Sequence, residues 1–229
     1  SNHYRRGDVG VQVYRNASPI YTWGTDTSKN DTGLTANTAY TYTIEARDNT
    51  SQGRGAWANT TGQKDSQVVW TLSAAPTAGT VTAAAVTYGD EVSWTAVNGF
   101  GAGKVQYYRY AFDQNATKTS WTDTETQWSS GVLKVTPTAA GTWYLHIKGY
   151  NGAHVGNGNY DYAVTVNKKA LTVTGLTAQN KVYDATTTAP LSGTAALLGA
   201  EALGSGSTSD GKPYTGDDVS VGGTAAGTF

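Results

Sequence analysis

The stretch that decides the expected fold is Leu34-Thr35-Ala36-Asn37-Thr38-Ala39-Tyr40-Thr41-Tyr42-Thr43-Ile44-Glu45-Ala46-Arg47-Asp48. From Tyr40 onwards the residues alternate strictly. The apolar positions are Tyr40, Tyr42, Ile44 and Ala46, and the polar positions between them carry Thr, Thr, Glu and Arg. A period of two with one apolar face predicts a β-strand that packs on a core and has water on its other side.

The same pattern returns about 100 residues later, which is the length of one β-sandwich domain. The second copy is Thr138-Ala139-Ala140-Gly141-Thr142-Trp143-Tyr144-Leu145-His146-Ile147-Lys148-Gly149-Tyr150-Asn151. Its predicted inner face carries Trp143, Leu145, Ile147 and Gly149, and its outer face carries Tyr144, His146, Lys148 and Tyr150. The repetition predicts at least two tandem β domains.

The composition of the 229-residue chain points to the all-β class. Thr, Tyr, Val and Trp suit a pleated, half-buried surface, and the many Gly and Asn residues suit turns. Charged residues make up 14%, against about 25% in an average domain. No long stretch has helical periodicity, and the length allows two or three small domains. We therefore predict an all-β chain.

Charge and cysteine content exclude several function classes. The net charge is −1 and no basic run is present, so we expect no nucleic-acid partner. The absence of cysteine excludes disulfides, thiol catalysis and cysteine-ligated metals. No apolar run approaches the roughly 20 residues of a membrane helix, so this segment is predicted to contain no membrane span.

The catalytic motifs that can be recognised in a sequence are also missing. His3, His146 and His154 are scattered without metal-ligand spacing, and acidic pairs such as Asp217-Asp218 have no EF-hand signature around them. No nucleophile elbow is present. We predict no catalytic residues, no metal site and no cofactor, and hence that the chain is not an enzyme.

A family resemblance enters with the first domain. The run Val13-Tyr14-Arg15-Asn16, followed by the segment from Thr32 to Tyr42, resembles the middle of a bacterial fibronectin type III domain. The resemblance covers about residues 9–72. It implies that Tyr40 is the tyrosine-corner residue and that residues 68–72 form the last strand. It also implies that about two further strands precede Val9.

The second domain, after a Pro-containing linker at residues 74–79, resembles the fibronectin type III or immunoglobulin-like class more loosely. Its most aromatic stretch, residues 104–112, allows two registers. We place Tyr108, Tyr110 and Phe112 inside and Tyr107 and Arg109 outside, because Arg109 should face water. Trp94 and Trp143 are expected to be buried and in contact.

The third piece resembles another family. Lys181-Val182-Tyr183-Asp184-Ala185-Thr186-Thr187, together with the Gly-rich residues 216–229, resembles the YDG repeat of large bacterial adhesins over residues 170–229. It departs from that family at Ala185, where the repeat has its glycine. The predicted architecture is therefore tandem immunoglobulin-like or fibronectin type III β-sandwiches at 1–74 and 75–167, with a partial YDG-like unit at 168–229.

Two kinds of surface site are predicted. If the strands at 104–112 and 143–150 are sheet neighbours, Tyr107, Arg109, Tyr144 and His146 share an outer face. Aromatic rings beside arginine can stack on sugars, so this is a candidate glycan-contact face. The alternative, which we favour, is that these residues form cross-strand pairs or an inter-domain contact. Sequons provide candidate glycosylation sites at Asn16, Asn30, Asn49, Asn59 and Asn115.

Three functional classes follow. The leading one is a structural or adhesive segment of a large secreted or cell-surface bacterial protein, such as an adhesin, a surface layer or an extracellular-matrix component. Its partners would be neighbouring domains or copies of the same protein. The second is a glycan-binding accessory region of a secreted polysaccharide-degrading enzyme, with polysaccharide as the partner. The third, an enzyme in its own right, has no catalytic constellation to support it. Both favoured classes predict an extracellular or cell-surface location.

Overall fold

The computed structural model describes residues 9–24, 26, 28–48 and 65–228 of the chain. Across these ranges the chain forms sixteen β-strands and no helix. The all-β class predicted from composition and alternation is therefore confirmed. Most strands are short and joined by turns in which glycine or asparagine adopts a positive φ, as the composition suggested.

The first unit contains one antiparallel sheet. Its strands are β1 (Val9–Arg15), β2 (Ser18–Gly24), β3 (Ala39–Asp48) and β4 (Asp65–Trp70), in the order β2-β1-β3-β4. This is the order of the sheet that carries strands C, F and G in immunoglobulin-like sandwiches. Val13 pairs with Ile44, so the apolar faces predicted for the two strands coincide. The last strand begins three residues before the predicted 68–72.

The tyrosine corner implied by the resemblance is present. The backbone N–H of Thr35 donates a hydrogen bond of 2.9 Å to the hydroxyl oxygen of Tyr40, which ties the start of β3 to the chain upstream. In the second unit, Trp143 occupies the equivalent place, and its indole N–H donates to the carbonyl oxygen of Ala139 at 2.9 Å. Each copy of the repeated strand is thus anchored by one aromatic side chain.

The second unit is a two-layer sandwich. Its strands are β5 (Val81–Thr82), β6 (Val86–Thr87), β7 (Val92–Ala96), β8 (Tyr107–Asp113), β9 (Thr126–Trp128), β10 (Leu133–Val135), β11 (Gly141–Tyr150) and β12 (Gly156–Asn167). One layer has the order β10-β7-β5 and the other β6-β12-β11-β8-β9. Only the β6–β12 pair is parallel. The strand order confirms an immunoglobulin-like β-sandwich.

The core of the second unit lies between its two layers. Leu145 and Ile147 are fully buried, and Trp94 is 2% exposed. Phe112 stacks on Trp143 with ring centroids 4.9 Å apart. The predicted burial of both tryptophans and the inward register of β8 are confirmed. The Tyr162 ring packs edge-on against Trp94 at 6.2 Å, and the predicted contact between Trp94 and Trp143 stays a prediction.

The third unit consists of two small antiparallel pairs. Strand β13 (Val173–Ala178) pairs with β15 (Leu191–Leu197), and β14 (Thr188–Ala189) pairs with β16 (Gly227–Thr228). Ala185 has a φ of +60°, so a residue with a side chain adopts a left-handed backbone conformation there. The resemblance to the YDG repeat stays a prediction. The boundaries at 74 and 167 stay predictions.

Candidate functional site

The predicted glycan-contact face lies on the outer side of the five-stranded layer. Strands β8 and β11 are neighbours, as expected, and Tyr107 pairs with Tyr150 while Arg109 pairs with Lys148. A side chain that stacks on a sugar must be exposed to solvent. The prediction of an exposed face is wrong at two of its four positions, because Tyr107 is 3% exposed and His146 is fully buried. Arg109 and Tyr144 are partly exposed.

Tyr107 is covered by the rings of Tyr150 and His154, and the loop between β8 and β9, residues 114–125, is bonded to the same face. The Arg109 guanidinium donates to the carbonyl oxygen of Glu125 at 2.6 Å. The Asp123 carboxylate accepts a hydrogen bond from Lys148 at 3.0 Å and another from the hydroxyl of Tyr150. The sequence pattern could not predict these contacts, because the residues of a polar loop do not indicate which strand the loop packs against.

The covered face is held together by aromatic and cationic side chains. The Tyr107 and Tyr150 rings are parallel to within 3° at a centroid distance of 5.0 Å. The Arg109 guanidinium lies 5.6 Å from the Tyr150 centroid, a cation–π distance. Burial, and then the hydrogen bond to Asp123, raise the pKa of Tyr150. This arrangement agrees with the favoured interpretation of cross-strand pairs that stabilise the sheet.

His146 has both ring nitrogens occupied by carboxylates. Its Nδ1 lies 2.6 Å from Asp161, on β12, and its Nε2 lies 3.3 Å from Asp113, on β8. Burial raises the pKa of Asp113, but hydrogen bonds from the Asn115 backbone and from His146 outweigh it, so the net shift is downward. The imidazole bridges three strands and has no nitrogen left for a ligand.

The junction between the first and second units contains a buried polar network that the sequence analysis did not find. The Asn37 side chain is 1% exposed and donates to the Gly101 carbonyl oxygen at 2.9 Å. Its own oxygen accepts the Gly152 N–H at 2.8 Å. From the other side, Asn151 donates to the Thr71 carbonyl oxygen at 2.9 Å.

Packing at this junction leaves no room for a side chain at Gly152. A methyl group there would overlap the ring of Trp70, so the indole at the end of β4 lies directly on the backbone of the β11–β12 loop. The predicted linker is tied down as well. The Ala74 N–H donates to the backbone carbonyl oxygen of Lys104 at 2.9 Å, and Pro76 is buried. The segment is therefore part of the interface and not a free tether.

The junction between the second and third units is aromatic and charged. Tyr88 meets Tyr214 edge-on at 5.3 Å, and Tyr214 is 2% exposed. The backbone of Gly89 contacts the Tyr214 ring so closely that a side chain there would overlap it. Lys169, two residues after β12, places its ammonium 4.1 Å from the Tyr214 centroid. Both junctions thus exclude water from defined side chains.

The predicted glycosylation sites fall into two groups. Asn16, Asn30 and Asn115 are exposed, which a modified asparagine requires. Asn49 and Asn59 lie outside the described residues. Glycosylation at all five positions stays a prediction.

The described part of the chain offers neither a metal-binding cluster nor a membrane-spanning helix. Within it, no group of three His, Asp or Glu side chains is placed to hold a metal ion. None of its segments is a helix of the length and apolarity needed to cross a membrane.

Comparison with known proteins finds a partial sequence relative and weak structural likeness to solved chains. No protein-family model matches the chain. Exoglucanase B of Cellulomonas fimi is 38% identical over 121 residues, which are 52% of this chain and 11% of that protein. The crystal structure of chicken CNTN1 FN1-FN3 domains matches 71% of this chain and 57% of that chain at 13% identity, with a TM-score of 0.24. The fold assignment above rests on strand order and not on that likeness.

Proposed function

We propose that the chain is a non-catalytic structural segment of a secreted or cell-surface bacterial protein, in which successive β units are held in fixed relative positions. The observation that carries this proposal is the buried Asn37 amide, which hydrogen-bonds across the junction of the first two units. A structural segment of this kind would serve in adhesion, in a surface layer or in an extracellular matrix. Its partners would be neighbouring domains or copies of the same protein.

The energetic argument concerns what a hinge motion would expose. A buried amide is tolerated only when its donors and acceptor are paired. Opening the junction would break the bonds of Asn37 with Gly101 and Gly152, and would also separate Trp70 from the loop on which it lies. The closed junction is therefore favoured over a range of open ones, and mechanical or spacing functions need such a connection. The resemblance of residues 170–229 to an adhesin repeat supports the same class.

A second candidate function is an accessory region of a secreted polysaccharide-degrading enzyme. The observation that favours it is the 38% identity with part of a protein named Exoglucanase B. In this case the partner is a polysaccharide. The partly exposed Arg109 and Tyr144 are then the members of the proposed glycan-contact face that a sugar can reach.

The fixed junction can be tested with spin labels, because the chain has no cysteine of its own. Labels at Gln67→Cys on β4 and Thr165→Cys on β12 occupy exposed strand positions in the first and second units. Pulsed electron resonance should give one narrow distance distribution, and Asn37→Gly should broaden it. A broad distribution in the otherwise unchanged chain contradicts the proposal.

The second candidate requires a separate binding test. The chain is mixed with insoluble β-glucan, and the bound fraction is measured by sedimentation. Tyr144→Ala should reduce binding, and Tyr160→Ala, another tyrosine of the five-stranded layer that is 38% exposed, is the matched control. A chain that stays in the supernatant at every glucan concentration rules out the accessory function for that polysaccharide and leaves the structural proposal standing.

A further inference from the structure

A buried lysine with two carboxylates lies at the start of the third unit. The Lys169 side chain is 3% exposed, and its Nζ is 2.8 Å from Glu201 Oε1 and 2.9 Å from Asp210 Oδ1. The ring of the buried Tyr214 covers it at 4.1 Å. Lysine is almost never this deeply buried unless its ammonium is paired. The cluster therefore holds an amine nitrogen, shielded from water, against two carboxyl groups.

The two carboxyl groups are also close to each other. The backbone of Gly206 lies against both, so that a methyl group there would meet oxygens of Glu201 and of Asp210. Each carboxyl group is within hydrogen-bond reach of the Lys169 ammonium, and the Lys212 backbone N–H, followed by that ammonium, lowers the pKa of Asp210. A proton can therefore pass among the three groups without entering bulk water.

The Asp210 carboxyl group is additionally polarised by the backbone. The N–H of Lys212 donates to Oδ1 at 2.9 Å, and the N–H of Ser207 donates to Oδ2 at 3.3 Å. Preorganised N–H groups of this kind stabilise the negative oxygen that forms when a nucleophile adds to a carboxyl carbon. Asp210 thus carries backbone donors for the oxygen of an addition intermediate, and Glu201, which contacts Lys169 and lies 3.8 Å from the Lys212 ammonium, is the group placed to transfer protons.

We propose that Lys169 and Asp210 become joined by an amide bond between Nζ and Cγ, with Glu201 as the proton relay. Starting from the ammonium–carboxylate pair, Glu201 accepts a proton from Nζ, and the neutral amine adds to Cγ. One Cγ–O bond then breaks, and that oxygen leaves as water with the two protons that Nζ has given up. No oxidant, reductant or activating co-reactant is needed.

The fold brings the amine and the carboxyl group together and keeps water away from them, two conditions that free lysine and aspartate in water do not have. Held groups react at effective concentrations far above those of free reactants, and the Tyr214 ring keeps solvent from the amine. The product would be a covalent link between Lys169, two residues after β12, and Asp210, closing the start of the third unit onto its loop 201–214. This inference does not depend on the proposed function.

The test is the intact mass of the full chain, measured under denaturing conditions so that ion pairs do not survive. After prolonged incubation at neutral pH, the chain should be lighter than its calculated mass by one water molecule. Tandem mass spectrometry of the digest should find the peptides that contain Lys169 and Asp210 linked to each other.

Three variants sharpen the result. Lys169→Arg keeps the positive charge but has no amine that can form the bond, so it should keep its full calculated mass. Glu201→Gln should react far more slowly. Lys168→Arg, at the neighbouring exposed lysine, should lose one water like the unmodified sequence. Full mass in the unmodified chain overturns the proposal, as does a link that joins Lys169 to Glu201. Because the decisive measurement is made on the unmodified sequence, misfolding of a variant does not affect it.

Discussion

Replacement of Asn37 by glycine tests the junction more sharply than any other single change. Asn37 has a φ of +45°, which alanine would adopt only with strain, whereas glycine adopts it freely. Asn37→Gly therefore removes the amide and leaves the backbone conformation unstrained. What is lost is the acceptor of the Gly152 N–H and the donor to the Gly101 carbonyl oxygen.

The magnitude follows from the two groups that are left without partners. Each buried polar group that loses its hydrogen bond costs about 1–3 kcal/mol. Water that enters the junction can pair with part of these groups and so reduces the summed cost. We therefore expect the closed junction to be destabilised by about 3 kcal/mol relative to open states. This corresponds to a factor of about 100 in the opening equilibrium.

The assay is hydrogen exchange of the Gly152 amide, followed by NMR. This amide is protected through its bond to Asn37, so its exchange should accelerate about 100-fold in Asn37→Gly. Amides in the centre of β11 should exchange at unchanged rates, because the core of the second unit is untouched. Asn30→Gly, at an exposed asparagine of the same unit, is the matched control. An acceleration below about threefold would refute the reasoning, since it would mean that the Asn37–Gly152 hydrogen bond contributes almost no free energy to the closed junction.

Three further predictions concern single side chains. Trp143→Ala removes the ring that stacks on Phe112 and should lower the free energy of unfolding by about 3–5 kcal/mol in urea titrations; a loss under about 1 kcal/mol would contradict the core assignment. Tyr40→Phe deletes the hydroxyl that accepts the Thr35 N–H, and should cost about 0.5–1.5 kcal/mol by the same measurement, with no change in the far-ultraviolet spectrum. Hydrogen bonds from Tyr150 and then Lys148 lower the pKa of Asp123. A carboxyl group with a lowered folded-state pKa contributes stability above its unfolded pKa of about 3.9, and this contribution disappears as the pH falls through the folded-state pKa. The denaturation midpoint of the unmodified chain should therefore fall more steeply than that of Asp123→Asn below about pH 4, and parallel curves would show that the carboxylate is not linked to folding.

The sequence by itself determined the strand content and the faces of the main strands. Strict alternation placed Trp143 and Ile147 on the inner face of β11, where both are buried, because a strand turns alternate side chains to opposite sides. The packing on a core predicted for the first copy is wrong at Ile44, which is 50% exposed. The corner bond of Tyr40 followed from a local motif, since its donor Thr35 is only five residues away. Properties that depend on a few neighbouring residues can be read from the chain without knowledge of its tertiary contacts.

Only the tertiary structure decided what covers each face. The outer face of the second sandwich carries Tyr107 and His146, as the alternation predicted, but the loop 114–125 and the flanking carboxylates close it. Alternation reports the side of the sheet on which a residue lies and not whether a distant loop rests there. The same limit applies to exposure at the other two positions of the predicted glycan-contact face.

The junctions show the same division most clearly. Asn37 and Gly152 are 115 residues apart in sequence, and Lys169 is far along the chain from Glu201 and Asp210. Asparagine in a turn and lysine after a strand are ordinary surface residues in any sequence pattern. Asn37 is buried where two folded units meet, and Lys169 is buried where distant segments of the third unit meet; in both cases a polar atom removed from water requires a hydrogen-bond partner. That pairing is set by three-dimensional contact and has no local signature in the sequence.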